Sequence, residues 1–338
     1  MKRILSIALV VLMIATLSVG CAKKEAPLTL LDKAFNQSAA LASLTSDMTL
    51  SAQVQANEAM LALDPSVKTT IDMISAGKIT ATMASDTKKG NMNGKLSLDT
   101  NGMAIAMELY MKDFAQMILK TPMAEKYITM DLGGAAQEPV DLELMKKVNQ
   151  EASAVFVNLL KEEYLTTEYK VPFEGKDGKV DLNYVTITMD NAQFIAFVKE
   201  VIPALYASES LKQLMSDSVT NSMETAGQEV TPEEVQKQID ESMAQLPTML
   251  DQMQENISFD SVTIKVGIDK DYNTRDMDMD FVMTAKDGEA SMNIALKVET
   301  EYYAFNQPVA ATDIEITEEN SMPFEELLMQ LMFGGMGM

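Results

Sequence analysis

The first half of the chain contains a region in which apolar and polar residues alternate. A period of two indicates β-strands that bury one face. Strands are predicted at residues 48–56, 78–83, 92–98, 103–111 and 127–132. Asn101-Gly102 is a strong signal for a tight hairpin turn between two of them. The pattern therefore predicts an antiparallel meander with one apolar face.

A second meander is predicted near the carboxyl end. Its strands are expected at residues 262–268, 277–283, 292–298 and 309–316. Successive side chains of a strand point to opposite faces. We therefore expect one face of the second strand to be buried and the other to face solvent. The buried set is Met277, Met279, Phe281 and Met283, and the solvent-facing set is Asp276, Asp278 and Asp280.

Between and around the meanders the apolar period lengthens to that of helices. Helices are predicted at about residues 30–44, 57–75, 141–163, 190–206, 209–223, 231–254 and 323–332, and further strands at 164–171 and 179–189. Expected caps are Thr29, Asp190 with Gln193, and Thr231 with Glu234. Asp64-Pro65 should bend the second helix, because proline interrupts its hydrogen-bond ladder.

This order of elements predicts an α+β fold. We expect a curved antiparallel sheet, or half-barrel, with helices packed on its concave face. Residues 28–320 are assigned to one domain, and residues 321–338 to a carboxyl-terminal helix and methionine-rich tail.

The amino terminus has the parts of a lipoprotein signal. Met1-Lys2-Arg3 is basic, residues 4–19 are almost wholly apolar, and Gly20 precedes Cys21. The apolar run is shorter than the roughly 20 residues that span a bilayer as a helix. We expect residues 1–20 to be a cleaved signal peptide and residues 21–27 to be the lipidated cysteine and a tether. The expected location is the cell membrane, on its extracytoplasmic face.

The amino-acid composition limits the covalent links and the classes of partner that can be expected. Cys21 is the single cysteine, so no internal disulfide can form, and its acylation would remove a reactive thiol. The net charge is −23, with Arg275 the only arginine after the signal segment. No basic stripe exists to neutralise phosphates, so nucleic acid is not an expected partner.

The chain also lacks histidine and tryptophan. Without histidine, a Ser-His-Asp site, a Cys-His site and ordinary zinc sites are excluded. The many carboxylates show no pattern that singles out a catalytic pair. We therefore expect a protein that is not an enzyme and needs no cofactor.

The closing phrase Tyr302-Tyr303-Ala304-Phe305-Asn306-Gln307-Pro308-Val309 precedes an Ile-Glu-Ile segment. With the lipoprotein start and the order of elements, it resembles the LolA/LppX-like family of lipoproteins and lipoprotein carriers. The resemblance covers most of residues 28–317. It implies an incomplete antiparallel barrel closed by helices, with a cavity that holds acyl chains. It carries over no catalytic residue.

The residues expected to line such a cavity come from the apolar faces of the two meanders. They are Met103, Ile105, Met107, Leu109, Phe281, Met283, Ile294 and Leu296. Methionine is flexible and polarisable, which suits an interior that accepts apolar ligands of different shapes. The expected function is binding of a lipid or another apolar molecule. The alternative is a structural or interaction lipoprotein whose core is filled by the same residues.

Two motifs could in principle bind a metal ion, but a structural role is favoured for both. Asp269-Lys270-Asp271-Tyr272-Asn273 begins like a calcium loop, but Thr274 stands where such loops have glycine. A solvated hairpin turn is the favoured interpretation. Met277, Met279, Met336 and Met338 are candidate copper(I) ligands, which leaves a methionine-based copper carrier as a third hypothesis. Core or cavity lining is favoured for these methionines, so no metal site is expected.

Overall fold

The computed structural model describes residues 24–63, 66–100, 103–113, 116–122, 124–131, 142–225, 231–309, 314–317, 319–324 and 326. Within these residues the strands are β1 Ser43–Ala56, β2 Lys78–Asp86, β3 Asn91–Thr100, β4 Met103–Lys112, β5 Gln116–Lys120, β6 Tyr127–Asp131, β7 Leu165–Gly175, β8 Gly178–Met189, β9 Ile257–Ile268, β10 Thr274–Asp287, β11 Ala290–Tyr303 and β12 Ser321–Pro323. The helices are α1 Pro27–Ala40, α2 Glu58–Leu63, α3 Ser66–Ala76, α4 Leu142–Leu159, α5 Asn191–Tyr206, α6 Glu209–Thr225 and α7 Pro232–Asn256.

All of these strands belong to one sheet. Its order is β12-β6-β5-β4-β3-β2-β1-β11-β10-β9-β8-β7. Neighbours run antiparallel except β12 and β6, which are parallel. The sheet is curved and does not close on itself, so the predicted α+β half-barrel is confirmed.

Strand β1 joins the two predicted meanders. On one side it pairs with β2 and on the other with β11, so that Leu50 lies opposite both Ile79 and Val298. The pairing of β1 with β11 connects residues about 250 positions apart in the chain. The two meanders therefore form one continuous sheet.

The densest packing lies over β8 and β9, where helices α1, α4 and α5 meet the sheet. The buried cluster there is Leu30, Leu31, Ala34, Val157, Leu160, Tyr164, Val185, Ile187, Met189, Phe197, Val262, Val266 and Ile268. Three aromatic rings of the helices meet edge to face in this region, with 6.0 Å between the centroids of Phe35 and Phe156 and 5.3 Å between those of Phe156 and Phe197.

Two of the three predicted helix caps are confirmed. The Asp190 carboxylate accepts a hydrogen bond from the Gln193 backbone N–H at 2.9 Å, and the Gln193 side chain accepts one from the Asp190 N–H. Thr231 and Glu234 form the same reciprocal pair at the start of α7. Thr29 is not a cap, since α1 already begins at Pro27, whose fixed φ suits a first helical turn.

The structure differs from the predicted elements at one short strand and near the carboxyl end of the chain. Strand β5, Gln116–Lys120, was not anticipated. The strand expected at 309–316 is wrong over its described part, since residues 309 and 314–316 are not in a strand. A turn follows them, in which the Thr317 N–H donates to the Asn320 side chain and the Asn320 side chain donates to the Glu315 carbonyl. The strand comes after that turn, as β12.

Strand β12 belongs to the sheet although it follows the predicted domain boundary at 320. The helix expected at 323–332 lies almost entirely outside the described residues, as do the turn Asn101-Gly102 and the bend Asp64-Pro65. Strands β3 and β4 nonetheless pair as predicted, with Thr100 opposite Met103.

Candidate ligand-binding face

The register places the apolar residues of both meanders on one face of the sheet, called here the inner face. One row illustrates it: Ile105, Leu98, Ile79, Leu50, Val298, Met279 and Ile264 are paired in turn from β4 to β9. Paired residues point to the same side of a sheet. Helices α1, α4 and α5 cover this same face over β8 and β9.

Seven of the eight residues predicted to line a cavity have described side chains, and all seven lie on the inner face. Phe281 is opposite Leu296, and Met283 is opposite Ile294. Ile105, Met107 and Leu109 occupy β4 at positions of the same parity, as does Met103, whose side chain lies outside the described residues. The register of the sheet therefore puts these positions on one face.

The lining residues of β4 lie too far from those of β10 and β11 to form one compact cavity. Four strand-to-strand steps separate β4 from β11 and five separate it from β10, so at about 4.8 Å a step the two groups are about 19–24 Å apart along the sheet. The residues line a long surface, and a ligand that touched both groups would have to be extended.

Burial also differs from expectation. None of the seven described lining residues is fully buried; each side chain is partly exposed. Met277, Met279, Phe281 and Met283 were expected to be buried, and they too are only partly covered, although Met277 and Phe281 pack against the buried cluster. Strand alternation identifies which residues share a face but not how far helices cover it. The inner face of β1–β4 and β10–β11 is thus a partly exposed apolar surface beside an enclosed core.

The opposite, outer face is acidic, and its carboxylates are less solvated than predicted. Asp276 lies opposite Glu301, and Asp278 lies opposite Glu299. Burial is the largest cause that raises the pKa of Asp276 and of Asp278, and repulsion from neighbouring carboxylates adds to it. The expectation that Asp276, Asp278 and Asp280 simply face solvent is wrong, since all three are partly covered.

A buried tyrosine explains part of this cover. Tyr184 is only 5% exposed, and its hydroxyl donates a 2.9 Å hydrogen bond to Asp276 Oδ2. Its ring lies against Gly267, where a Cβ atom would come within 2.7 Å of a ring carbon. Lys265 Nζ lies 4.1 Å from the ring centroid. Glycine at 267 therefore leaves the space that the Tyr184 ring occupies.

The calcium-like motif forms a turn whose first carboxylate is already saturated. Asp269 is 3% exposed and accepts hydrogen bonds at 2.9 Å from the backbone N–H groups of Asp271 and Asn273 and from Arg275 Nε. The predicted turn is confirmed, but this residue is buried rather than solvated. Among the described residues, no cluster of histidine, cysteine or acidic side chains is arranged to hold a metal ion.

Arg275 is a residue whose role sequence reasoning missed. Besides Asp269 it contacts Asp177 at 2.6 Å, in the turn between β7 and β8. Its guanidinium carbon lies 4.4 Å from the centroid of the Phe305 ring. The only sequence feature that pointed to Arg275 was that it is the one arginine after the signal segment in an acidic chain.

The closing phrase that carries the family resemblance ties β11 back to the start of β1. The Asn306 side chain accepts a 2.8 Å hydrogen bond from the Ala42 N–H, and the Asn306 N–H donates one of 2.8 Å to Ser43. Ala304 donates to Asp177 at 3.1 Å. Ala304 and Asn306 both have positive φ, of 52° and 55°. The phrase is therefore a structural clasp in this chain.

Three cavities lie away from the predicted lining residues. Two of them, of ≈ 470 Å³ and ≈ 220 Å³, adjoin the β7–β8 hairpin near Phe173 and Lys179. A third, of ≈ 420 Å³, lies beside α4 and α6 and is lined mainly by charged and amide side chains. None of these three contains a residue of the predicted cavity lining.

Of the four copper candidates, the structure describes Met277 and Met279. Met277 and Met279 share the inner face of β10, and their cross-strand neighbours are Val266, Thr300, Ile264 and Val298. Met336 and Met338 lie outside the described residues, as does Cys21.

Comparison with known proteins gives a partial family match. A family of unknown function (DUF6612) matches residues 216–318, from the last turns of α6 through the second meander and the clasp. No curated protein matches the chain. Of the helices in the described part of the chain, none has both the length and the apolarity needed to cross a membrane.

Proposed function

We propose that this chain is a lipoprotein, anchored through Cys21 on the extracytoplasmic face of the cell membrane, that binds a lipid or another apolar molecule on the inner face of its sheet. The observation that carries the proposal is the partly exposed apolar surface of β1–β4 and β10–β11. Its residues are apolar across many consecutive strands, yet they remain partly exposed.

Such a surface is costly to leave in water. Each methylene group that a ligand removes from water there contributes about 0.8 kcal/mol. Soluble proteins rarely expose contiguous apolar patches beyond a few hundred Å² unless the patch binds something. An acyl chain lying across the strands is a suitable occupant, because the surface is long and contains flexible methionine side chains. The LolA/LppX-like resemblance implies the same class of ligand.

The competing function is a structural or interaction lipoprotein without a ligand. The enclosed cluster over β8 and β9 favours it in that part of the molecule, where Val185 is 0% and Ile187 is 1% exposed. We place the ligand on the other part of the face, where no residue of the predicted lining is fully buried.

The test introduces bulk on the inner face. Leu109→Trp and Ile294→Trp should reduce the lipid that co-purifies with the full chain, measured by solvent extraction and mass spectrometry, while the urea midpoint stays near that of the parent. An open surface accepts the added ring, whereas a packed core would be strained by about 1–3 kcal/mol.

Matched controls use the outer face of the same strands. Ala106→Trp and Asn293→Trp add the same ring at exposed positions and should leave bound lipid unchanged. Absence of any co-purified lipid from the parent, together with strong destabilisation by the inner-face variants, would refute the proposal and leave the structural function.

A further inference from the structure

Four methionines occupy one row of the inner face at the β3–β6 end of the sheet. Met92 lies opposite Met111, Met111 opposite Met117, and Met117 opposite Met130. Cβ atoms of such cross-strand pairs are about 4.5–5.5 Å apart and point to the same side. Four thioether side chains therefore stand side by side on four neighbouring strands.

The row differs from the row beside it. The next set of paired residues on the same face is Gly94, Leu109, Leu119 and Ile128. In the neighbouring row, therefore, the apolar side chains of this face are aliphatic. Packing alone does not require that thioethers be gathered in a single row.

The methionines are also accessible. Each of the four is partly exposed. A methionine side chain has three rotatable bonds, so sulfur atoms on adjacent strands can turn toward a common point without moving the backbone.

We propose that Met111 and Met117, the two central members of this row, bind Cu(I) together with one flanking methionine, Met92 or Met130, because the row spans about 14 Å and a single ion cannot reach all four sulfur atoms. Neutral, polarisable thioethers select this soft monovalent ion over hard cations such as calcium and magnesium. The chain has no histidine and a single cysteine, so methionine sulfur is its main soft ligand. The net charge of −23 attracts cations to the molecule. The row borders the proposed lipid surface at Leu109, but copper binding does not depend on lipid binding.

The experiment measures Cu(I) affinity of the purified full chain by competition with bathocuproine disulfonate, without oxygen and with ascorbate present. All proteins carry Cys21→Ala, because a free thiol would bind the ion itself. The test variants are Met111→Leu and Met117→Leu, which remove one thioether each and nearly conserve volume and apolarity. The control is Met107→Leu, on the same strand and face, whose cross-strand neighbour is Leu96.

We expect the parent to bind about one Cu(I) per chain and each test variant to lose affinity by about tenfold or more, since even an outer-shell partner of a metal is worth about 10- to 100-fold. Met107→Leu should stay within about twofold of the parent. Circular dichroism and the urea midpoint establish that every variant is folded. A parent that binds no Cu(I), or binding that the test variants leave unchanged or lose no more than the control, overturns the proposal.

Discussion

Arg275 Nε donates a 2.9 Å hydrogen bond to the buried carboxylate of Asp269, and Nη1 of the same guanidinium reaches Asp177 at 2.6 Å. The contact connects the turn between β9 and β10 to the turn between β7 and β8. The Arg275 side chain is 19% exposed, so its positive charge balances the buried Asp269 carboxylate at a site that is largely shielded from solvent. A planar guanidinium suits two carboxylates at once, which a lysine ammonium would not match.

Removal of this cation should destabilise the fold strongly. Arg275→Ala leaves Asp269 buried without its charge partner, and breaking a buried pair in this way costs about 3–5 kcal/mol. The measurement is the free energy of unfolding in urea. Lys270→Ala is the control, because the Lys270–Asp271 pair is exposed and such pairs contribute about 0–1 kcal/mol. Equal losses in the two variants would contradict this account of Arg275.

Stability should pass through a maximum in mildly acidic solution. Burial opposes ionisation of Asp269, but hydrogen bonds from Arg275 and Asn273 outweigh it and hold its pKa below the usual value. A lowered pKa stabilises the fold above the unfolded value of about 3.9, and that contribution is lost as the pH falls toward the folded pKa. Asp276 and Asp278 act in the opposite sense, because their raised pKa values favour protonation in the folded state.

The urea midpoint should therefore rise as the pH is lowered from neutral toward the unfolded value of about 3.9, and fall again below that value. Asp278→Asn should flatten the rise and stabilise the protein at neutral pH by roughly 0.2–1 kcal/mol, since it removes a like-charge pair with Glu299. A midpoint that falls steadily from neutral pH downward would show that these two aspartates are not the residues that control stability in that range.

Lipidation at Cys21 is tested by cell fractionation. Cys21→Ala should move the chain from the membrane to the soluble fraction, because an acylated cysteine with two or three chains supplies stable anchoring and the rest of the chain is acidic. Ser18→Ala, which leaves the cysteine in place, serves as the control and should stay on the membrane. If the cysteine variant is retained as firmly as the parent, another segment is the anchor.

Strand positions followed from the sequence because alternation is a local signal. The strand expected at 277–283 lies inside β10, and the cap of Asp190 with Gln193 forms as expected. The junction of the meanders through β1 could not be found this way, since nothing local pairs Leu50 with Val298. Arg275 was missed for a similar reason: its partners lie on turns that meet only in the folded sheet.

The lining residues were placed on the correct face but with the wrong degree of cover. Alternation fixes the parity of Ile105 and Phe281, and the continuous register then brings both to one side. Exposure depends instead on where helices lie, and α1, α4 and α5 gather over β8 and β9. The pattern of the strands carries no information about that choice.

The division between enclosed core and open face predicts unequal costs of truncation. Ile187→Ala should cost about 2–5 kcal/mol, because the side chain is 1% exposed and its loss leaves a cavity. Ile105→Ala makes the same change on the same sheet face, but at a partly exposed position of β4. Solvent or ligand can fill the space there, so the cost in ligand-free protein should be well below that of the core variant. Saturating lipid should widen the loss for Ile105→Ala, since the variant binds it less well than the parent. Similar costs for the two variants, unchanged by lipid, would mean that the face over β4 is packed like the core.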